Sequence, residues 1–378
     1  MLNKRIFVLV CMLNPHFQCN LLFTLFNVVC FDLKQIRNEL IHAGICPDTR
    51  KGYNSGVKRF FEFLEYLQKE TGKQEFVLDC SLLTLFMAWV YKTRKVQGKT
   101  AEAYLTALRS WLLDNGINWD RCNMPVLQRE LKGFRFLRGD KYDQRSPINF
   151  GNGKLNLFLG GIKKTSIFYR TKRCTYLLMY FGCLRPSEAS KKGNSPEKLL
   201  RVLRVSNIKW LGDFNTTKEI MIHLHSAKND RLGNYILDLP VLCSCPMLCL
   251  VCELRELLIL KANKYGKVEG SDYLLSTDAG HPIRYETVLK WTSGLVKKFR
   301  WDPKKYKPYS FRIGRACDLY RAGFSELNIM DFGRWKSNSF MRYVRPSAQD
   351  MLWILKEDKH KLKKLFNVNK KYSSLYSL

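Results

Sequence analysis

Apolar residues between positions 34 and 139 recur at helical spacing. Four stretches repeat them every three or four residues, and each stretch follows a capping or turn signal, at Pro47, Ser81, Gly98 or Pro125. In the third stretch the stripe comprises Tyr104, Leu108, Trp111 and Leu112. Because such a stripe normally packs into a core, the pattern predicts an all-helical domain over residues 34–139.

The pattern changes after a polar, charged segment at residues 140–147, which ends in Pro147 and predicts an interdomain linker. Helical signals come next, at residues 155–162 and 172–181, and helices are predicted again from Pro246, Pro282 and Ser310. Between these two groups of helices, the alternation of apolar and polar residues predicts strands at 200–210, 219–225 and 235–239. The predicted fold class is therefore mainly α, with a small antiparallel β-sheet in a second domain over residues 148–355.

The two ends of the chain differ in character. Residues 1–33 are largely apolar, but Asn14, Pro15 and His16 interrupt them, and no apolar run reaches the roughly 18–20 residues that a membrane span needs. We therefore expect no membrane partner, and either a helix packed on the body of the protein or an N-terminus that is not native. Residues 356–378 form a basic tail whose apolar positions predict a short amphipathic helix.

The net charge of the chain indicates which class of partner it binds. The chain carries 64 Lys and Arg against 33 Asp and Glu, a net charge of +31 that indicates a polyanion, with double-stranded DNA as the first candidate. Basic side chains lie between the apolar stripes of the helical domain, and we predict that four of them contact DNA phosphates: Arg50, Lys58, Lys99 and Arg109. Thirteen cysteines without a regular framework predict a reduced, intracellular compartment.

The second domain contains residue types that suit phosphoryl transfer. Arginine binds phosphate oxygens, and a tyrosine hydroxyl that loses its proton can attack phosphorus. In chain order the candidates are Arg185 and Glu188, then Lys228 at the tip of the predicted hairpin, then Tyr309, Arg312, Trp335 and Tyr343. Taken singly they are ordinary: Arg185 and Glu188 have the spacing of an ion pair within a helix, and Lys228 is an exposed lysine.

The order and spacing of these residues resemble the tyrosine recombinase (phage integrase) family over roughly residues 34–347. The segments Ser310-Phe311-Arg312-Ile313-Gly314 and Gly333-Arg334-Trp335-Lys336-Ser337 look most like the recombinases of DIRS-like and crypton mobile elements. The resemblance implies a helical core-binding domain and a catalytic domain that recombine or integrate DNA. It also implies a tetramer on DNA, in which the basic tail docks on a neighbouring protomer, and we expect the protein in the nucleus.

The resemblance assigns a role to each candidate. Tyr343 would attack a DNA phosphodiester and leave a 3′-phosphotyrosine, and Lys228 would protonate the leaving 5′-oxygen. Arg185 and Arg312 would bind the non-bridging oxygens, and Trp335 would hold the phosphate through its ring nitrogen. Glu188 would orient the arginine helix. No cofactor or metal is implied, because the covalent intermediate conserves the energy of the broken bond.

Two positions depart from the family pattern. Tyr309 stands where the family has histidine, and a tyrosine is a poor base at neutral pH. The usual nine-residue step back from Tyr343 reaches Arg334, whereas Trp335 is eight residues back; the Gly-Arg-Trp pattern favours Trp335. The main alternative is therefore a catalytically inactive, domesticated DNA-binding protein with the same fold. A type IB topoisomerase, which shares the chemistry, is a further alternative.

A cysteine group raises one more alternative, a zinc-dependent transcription factor. The four cysteines fall within ten residues, at Cys243, Cys245, Cys249 and Cys252. Four thiolates can hold tetrahedral zinc, but zinc-binding pairs of cysteines are usually separated by a dozen or more residues. The expected state is therefore free cysteines without a metal, with Cys249 and Cys252 on one face of a helix that begins at Pro246.

Overall fold

The structure is a computed structural model, and the residues it describes are 26–117, 119, 124–139, 145–193, 199, 201–225, 236–243, 248–337, 340, 341 and 344. The chain divides into two compact units, Met1–Tyr142 and Asp143–Leu378. Most of the predicted linker, residues 140–144, lies outside the described residues, as does the whole basic tail.

The described part of the first unit is helical. Its helices are α1 (Phe26–Gly44), α2 (Pro47–Thr71), α3 (Cys80–Thr93), α4 (Gly98–Asp114) and α5 (Pro125–Arg138). Helix α1 crosses residue 33, so the predicted boundary between the apolar segment and the helical domain falls inside a helix. Helix α3 begins at Cys80, one residue before the predicted Ser81, and its N-cap is Asp79, whose carboxylate accepts a hydrogen bond of 2.7 Å from the Leu82 amide.

The apolar stripes of these helices form one core. Helix α2 packs against α4, and α3 and α4 both pack against α5. The core contains Phe60, Phe63, Leu83, Phe86, Leu108, Leu112, Leu131 and Phe134. Aromatic rings meet edge to face within it, as in the pair Phe60 and Phe86, whose ring centroids lie 5.2 Å apart.

The second unit combines helices with one small sheet. Its helices are α6 (Lys154–Gly160), α7 (Ile167–Phe181), α8 (Leu250–Tyr265), α9 (Tyr285–Lys298), α10 (Tyr309–Arg321) and α11 (Glu326–Gly333). Its strands are β1 (Ile208–Trp210), β2 (Glu219–His225) and β3 (Ile236–Leu242), in the antiparallel order β1-β2-β3. The predicted fold class, mainly α with a small antiparallel sheet, is confirmed.

Three local predictions were wrong. The strand predicted at 200–210 is reduced to Ile208–Trp210, because Val205–Asn207 form a 3-10 turn that the Asn207 side chain closes by accepting a hydrogen bond from the Arg204 amide. Helix α8 begins at Leu250 instead of Pro246, with Cys249 as its N-cap. Arg185 and Glu188 lie in the turn that follows α7, and not within a helix.

Helix α7 runs through the core of the second unit. All of its residues from Cys174 to Phe181 are buried, and it packs against both α8 and α10. Its one deeply buried cation, Arg173, is paired with Glu253 of α8, with Nε and Nη2 at 3.0 and 2.9 Å from the carboxylate. This ion pair fixes α7 against α8, and removing Glu253 would leave the buried Arg173 without its counter-charge, whereas Glu253 also pairs with Arg170 and Lys164. None of the helices in the described ranges is long and apolar enough to cross a membrane.

Candidate active site

The candidate site is built where α7 ends. Gly182 closes the helix, and Cys183, which is fully buried, adopts a left-handed backbone conformation with φ of 47°. Residues other than glycine seldom hold this conformation, which costs conformational energy. Here it directs the Cys183 carbonyl toward two arginines of distant sequence, since both Arg312 Nη1 and Arg334 Nη2 donate hydrogen bonds to it.

The turn after α7 presents Arg185 and Glu188 as a pair. The Arg185 guanidinium donates a 2.7 Å hydrogen bond to one Glu188 oxygen, and the Arg185 amide donates one of 2.7 Å to the other. That second oxygen also accepts from Arg334 Nη2 at 3.0 Å. Burial alone would raise the pKa of Glu188, but Arg334, Arg185 and Arg312 outweigh burial and hold it below the ordinary value. Glu188 is therefore an anion that joins two arginines.

Arg312 lies at the centre of the group. It is on helix α10, its side chain is fully buried, and besides the Cys183 carbonyl it donates to the carbonyl of Gly333 at the end of α11. The Trp335 ring covers its guanidinium, with the ring centroid 4.5 Å from the central carbon. A guanidinium against the face of an indole gains cation–π attraction that increases as water is excluded.

The close approach of Trp335 depends on glycine. A Cβ built on Gly333 would lie 1.5 Å from the Trp335 ring, so no larger residue fits while the ring keeps this position. Arg334, between them, has φ of 57° and turns the chain sharply after α11. Trp335 is 9% exposed and packs on Phe340 at a ring-centroid distance of 5.7 Å. The Gly-Arg-Trp sequence thus has a geometric meaning: it folds an indole back onto Arg312.

Arg334 is the group member that sequence reasoning set aside. Its side chain is 6% exposed, and burial, the main cause, lowers its pKa although Glu188 opposes this. Its Nε and Nη1 have no hydrogen-bond partner among the described residues, while Nη2 is shared between Cys183 and Glu188. The nine-residue step back from Tyr343 had pointed to this residue. The structure thus places both Arg334 and Trp335 beside Arg312.

Tyr309 begins helix α10, one turn before Arg312, and is partly buried. The Arg145 guanidinium lies 4.5 Å from the centroid of its ring. Lys228 and Tyr343 lie outside the described residues. The structure therefore brings Arg185, Glu188, Arg312 and Trp335 together, with Tyr309 on the same helix as Arg312.

The predicted DNA contacts of the first unit divide into two kinds. Lys58, Lys99 and Arg109 are exposed on α2 and α4. Arg50 is partly buried and already engaged: its guanidinium donates to the carbonyls of Ile41 and His42 at the end of α1, at 3.0 and 3.1 Å. Arg50 therefore has an evident role in joining α1 to α2, whatever else it binds.

Sequence comparison identifies no relative, because no protein-family model and no curated protein matches the chain. Comparison of its fold with solved structures does find similar proteins. The XerH site-specific recombinase bound to palindromic difH substrate, in a post-cleavage complex, matches with a TM-score of 0.58 at 16% identity, over 81% of this chain and 78% of that chain. The Tn1549 transposon integrase in complex with transposon right end DNA matches with a TM-score of 0.52 at 14% identity, over 86% of this chain and 98% of that chain. The chain therefore has the fold of the tyrosine recombinases and integrases.

Proposed function

We propose that this protein is a site-specific recombinase or integrase that breaks and rejoins double-stranded DNA through Tyr343. The observation that carries the proposal is the convergence of Arg185, Arg312 and Trp335 at the end of α7, in a chain with the recombinase fold. Arg185 and Trp335 are 150 positions apart in the sequence. Packing alone does not require three arginines, Arg185, Arg312 and Arg334, in one largely buried place.

The proposed reaction needs no external energy. The Tyr343 hydroxyl gives its proton to solvent water and attacks phosphorus, the bond from phosphorus to the 5′-oxygen breaks, and the Lys228 ammonium gives that oxygen a proton. The product is a 3′-phosphotyrosyl bond and a free 5′-hydroxyl. A 5′-hydroxyl of another strand then attacks the phosphotyrosine and restores a phosphodiester, so the number of phosphoester bonds is unchanged.

Charge stabilisation explains why the arginines are needed. The two non-bridging oxygens of a phosphodiester share one negative charge, which increases as the nucleophile adds, and cations that are already fixed in place stabilise that charge without reorganisation. Arg185 is the more accessible of the two proposed ligands, with its side chain 19% exposed, and Glu188 fixes its position by two hydrogen bonds. Arg334 shares the same carboxylate and supports that arrangement.

The proposal extends to the partners of the reaction. The net charge of +31 suits a DNA duplex, and the exposed Lys58, Lys99 and Arg109 supply phosphate contacts on the first unit. Strand exchange between two duplexes requires several active chains, so a tetramer on DNA is part of the proposal, as are a mobile-element origin and a nuclear location.

Two observations favour a second candidate, an inactive DNA-binding protein with the same fold. Arg312 is fully buried, and two of its N–H groups donate hydrogen bonds to main-chain carbonyls. In this conformation it therefore stabilises the fold. Tyr309 stands where a histidine would supply acid–base chemistry, which typically contributes 10²–10⁴-fold to a rate.

A covalent-adduct assay separates the two candidates. The purified chain is incubated with a pool of DNA duplexes that have randomised sequence and a nick on one strand, so that the short cleaved fragment diffuses away and traps the intermediate. An active recombinase should form a protein–DNA adduct that resists denaturant, and Tyr343→Phe should abolish this adduct. The control is Tyr320→Phe, a change on the exposed side of α10, which should leave the adduct intact. Salt-dependent DNA binding without any adduct would favour the inactive candidate.

A further inference from the structure

Three cysteine thiols meet at the junction of the sheet and helix α8. Cys243 follows the last residue of β3, Cys249 is the N-cap of α8, and Cys252 lies in its first turn. Their sulfur atoms all lie within 4.8 Å of one another. The Cys249 thiol donates to the Cys243 sulfur at 2.7 Å, and the sulfurs of Cys243 and Cys252 are 3.8 Å apart. Cys245 lies outside the described residues.

From this geometry we propose that Cys243, Cys249 and Cys252 bind one thiolate-preferring divalent metal, Zn²⁺ in the cell. With Zn–S bonds of about 2.3 Å and tetrahedral angles, two sulfurs on one zinc lie about 3.8 Å apart. The separation between Cys243 and Cys252 already has this value. The shorter separation between Cys243 and Cys249 must increase by about 1 Å, which a rotation of about 30° about one Cα–Cβ bond provides.

The main chain holds the three ligands in place. The Cys243 amide donates a 2.8 Å hydrogen bond to the Lys218 carbonyl, next to the start of β2, so its position is tied to the sheet. Cys249 and Cys252 are fixed by the first turn of α8, where the Cys252 amide donates to the Cys249 sulfur at 3.4 Å. The amino end of a 16-residue helix also stabilises negative charge, which three thiolates on one divalent ion retain.

The surroundings suit a metal that stabilises the fold. Cys249 is 2% exposed and belongs to the core of the second unit, and the other two cysteines pack against that core while remaining partly accessible. Soft thiolate ligands select zinc or similar metals over magnesium and calcium. Three protein ligands leave a fourth position for water or another donor. A metal here would join the end of β3 to the start of α8.

A disulfide is the competing use of the same thiols. Only two of the three cysteines could form one, the sulfurs of Cys243 and Cys249 are 2.7 Å apart instead of about 2.05 Å, and a disulfide also requires a specific torsion angle. A metal uses all three thiols at once. The sequence raised zinc for these three cysteines together with Cys245, but their spacing favoured free thiols, because the spacing Cys-x5-Cys-x2-Cys does not show that a strand end and a helix cap meet in space.

The test is metal content of the full-length protein purified with reductant and without chelator. We expect about one zinc per chain, and thiolate-to-metal charge-transfer absorption when Co²⁺ replaces it. Cys249→Ser should abolish both the zinc content and the Co²⁺ absorption. Cys252→His should keep the bound metal but alter the Co²⁺ spectrum. The control, Cys80→Ser, at a half-buried cysteine of the first unit, should change neither signal. Chelation should lower Tm by roughly 5–10 °C, the shift that linkage gives for a ligand well above its Kd.

A second measurement covers variants that fail to fold. In the unchanged protein, zinc should protect Cys243, Cys249 and Cys252 from alkylation, and a chelator should expose all three together. The proposal is wrong if reduced protein holds no stoichiometric metal and gives no Co²⁺ charge-transfer band. It is equally wrong if a Cys243–Cys249 disulfide persists under reductant, or if alkylation of the three cysteines is unchanged by chelator.

Discussion

At the scale of single residues, the site depends on backbone conformations as much as on charges. Cys183 and Arg334 both have positive φ, and these two turns bring the Cys183 carbonyl, Glu188 and the Trp335 ring around Arg312. Glu188 is the anion that compensates Arg185 and Arg334.

Replacing Glu188 by glutamine should destabilise the second unit by about 3 kcal/mol at neutral pH, because two largely buried arginines lose their counter-charge. The lowered pKa of Glu188 sets the pH dependence. Its stabilisation is present above the ordinary carboxyl pKa of about 4.3 and is lost as pH falls through the lower value of the folded state. Thermal unfolding should therefore show a gap between the two proteins at pH 7 that narrows below about pH 4. Glu219→Gln, at an exposed position of β2, should change stability by less than about 0.5 kcal/mol.

Gly333→Ala should displace the Trp335 ring, since the added methyl would lie 1.5 Å from it. We expect a loss of about 1–3 kcal/mol in the free energy of unfolding, as for overpacked cores, together with slower formation of the covalent adduct. Gly294→Ala is the matched control, because nothing lies within 4 Å of its Cβ on helix α9, and alanine there should be neutral or stabilising. Equal behaviour of the two variants would show that Trp335 does not need this contact.

At the scale of elements, the sequence predicted what periodicity and capping determine locally. Helices α2 to α5 and strand β2 are close to their predicted bounds, since each has an amphipathic stripe and clear end signals. The wrong elements are those that tertiary contacts decide. Cys249 caps α8 instead of lying within it, and Asn207 closes a 3-10 turn where a strand was expected.

The candidate site was predicted unevenly for the same reason. Arg185, Glu188, Arg312 and Trp335 could be found from their order and residue types, which resemble a known family. The nine-residue step back from Tyr343 pointed to Arg334, but the contact of Arg334 with Glu188 and the role of the Cys183 carbonyl could not be found, because neither contact has a signal in composition or spacing. Both depend on residues far apart in the sequence meeting in the fold, as Cys183 is 129 positions from Arg312 and 151 from Arg334.

In helix α5, burial of the Glu130 carboxyl group predicts that the stability of the first unit depends on pH. Burial raises the pKa of Glu130 to about 7, and one of its carboxylate oxygens lacks a hydrogen-bond partner among the described residues. A raised carboxyl pKa means that stability is greatest below the unfolded value of about 4.3 and falls as pH rises to about 7. Glu130→Gln should therefore stabilise the first unit by roughly 1–3 kcal/mol at pH 8 and hardly at all at pH 4.

Chemical denaturation at the two pH values measures this difference. The exposed Glu70→Gln on α2 serves as the control, and it should shift stability little at either pH. A Glu130→Gln protein that is less stable at pH 8 would mean that the ionised carboxylate has a favourable partner.

At the scale of the whole molecule, the proposed function implies that positive charge governs the encounter with DNA. A net charge of +31 implies counterion release on binding, so affinity should fall steeply as salt increases. Each phosphate contact contributes about 0.9 to the slope of log K against log salt. Under the proposed function, DNA binding and catalysis can therefore be separated, because the first would depend on distributed charge and the second on the group at the end of α7.

Replacing Lys58, Lys99 and Arg109 together by alanine should reduce the salt slope by up to about 3 and weaken binding to all DNA sequences alike. Fluorescence anisotropy with a labelled duplex, repeated over a range of salt, measures both quantities. Lys73→Ala, at an exposed lysine in the loop after α2, is the control and should leave the slope nearly unchanged. An unchanged slope in the triple variant would place the DNA elsewhere on the protein.

The central claim is that Tyr343 becomes covalently bound to DNA. The most direct measurement is mass spectrometry of the trapped protein–DNA complex after digestion with protease and nuclease. The proposed function predicts one modified peptide, carrying a nucleotide joined through its 3′-phosphate to Tyr343. A modified peptide at any other residue, or none in a protein that still binds DNA tightly, would contradict the claim.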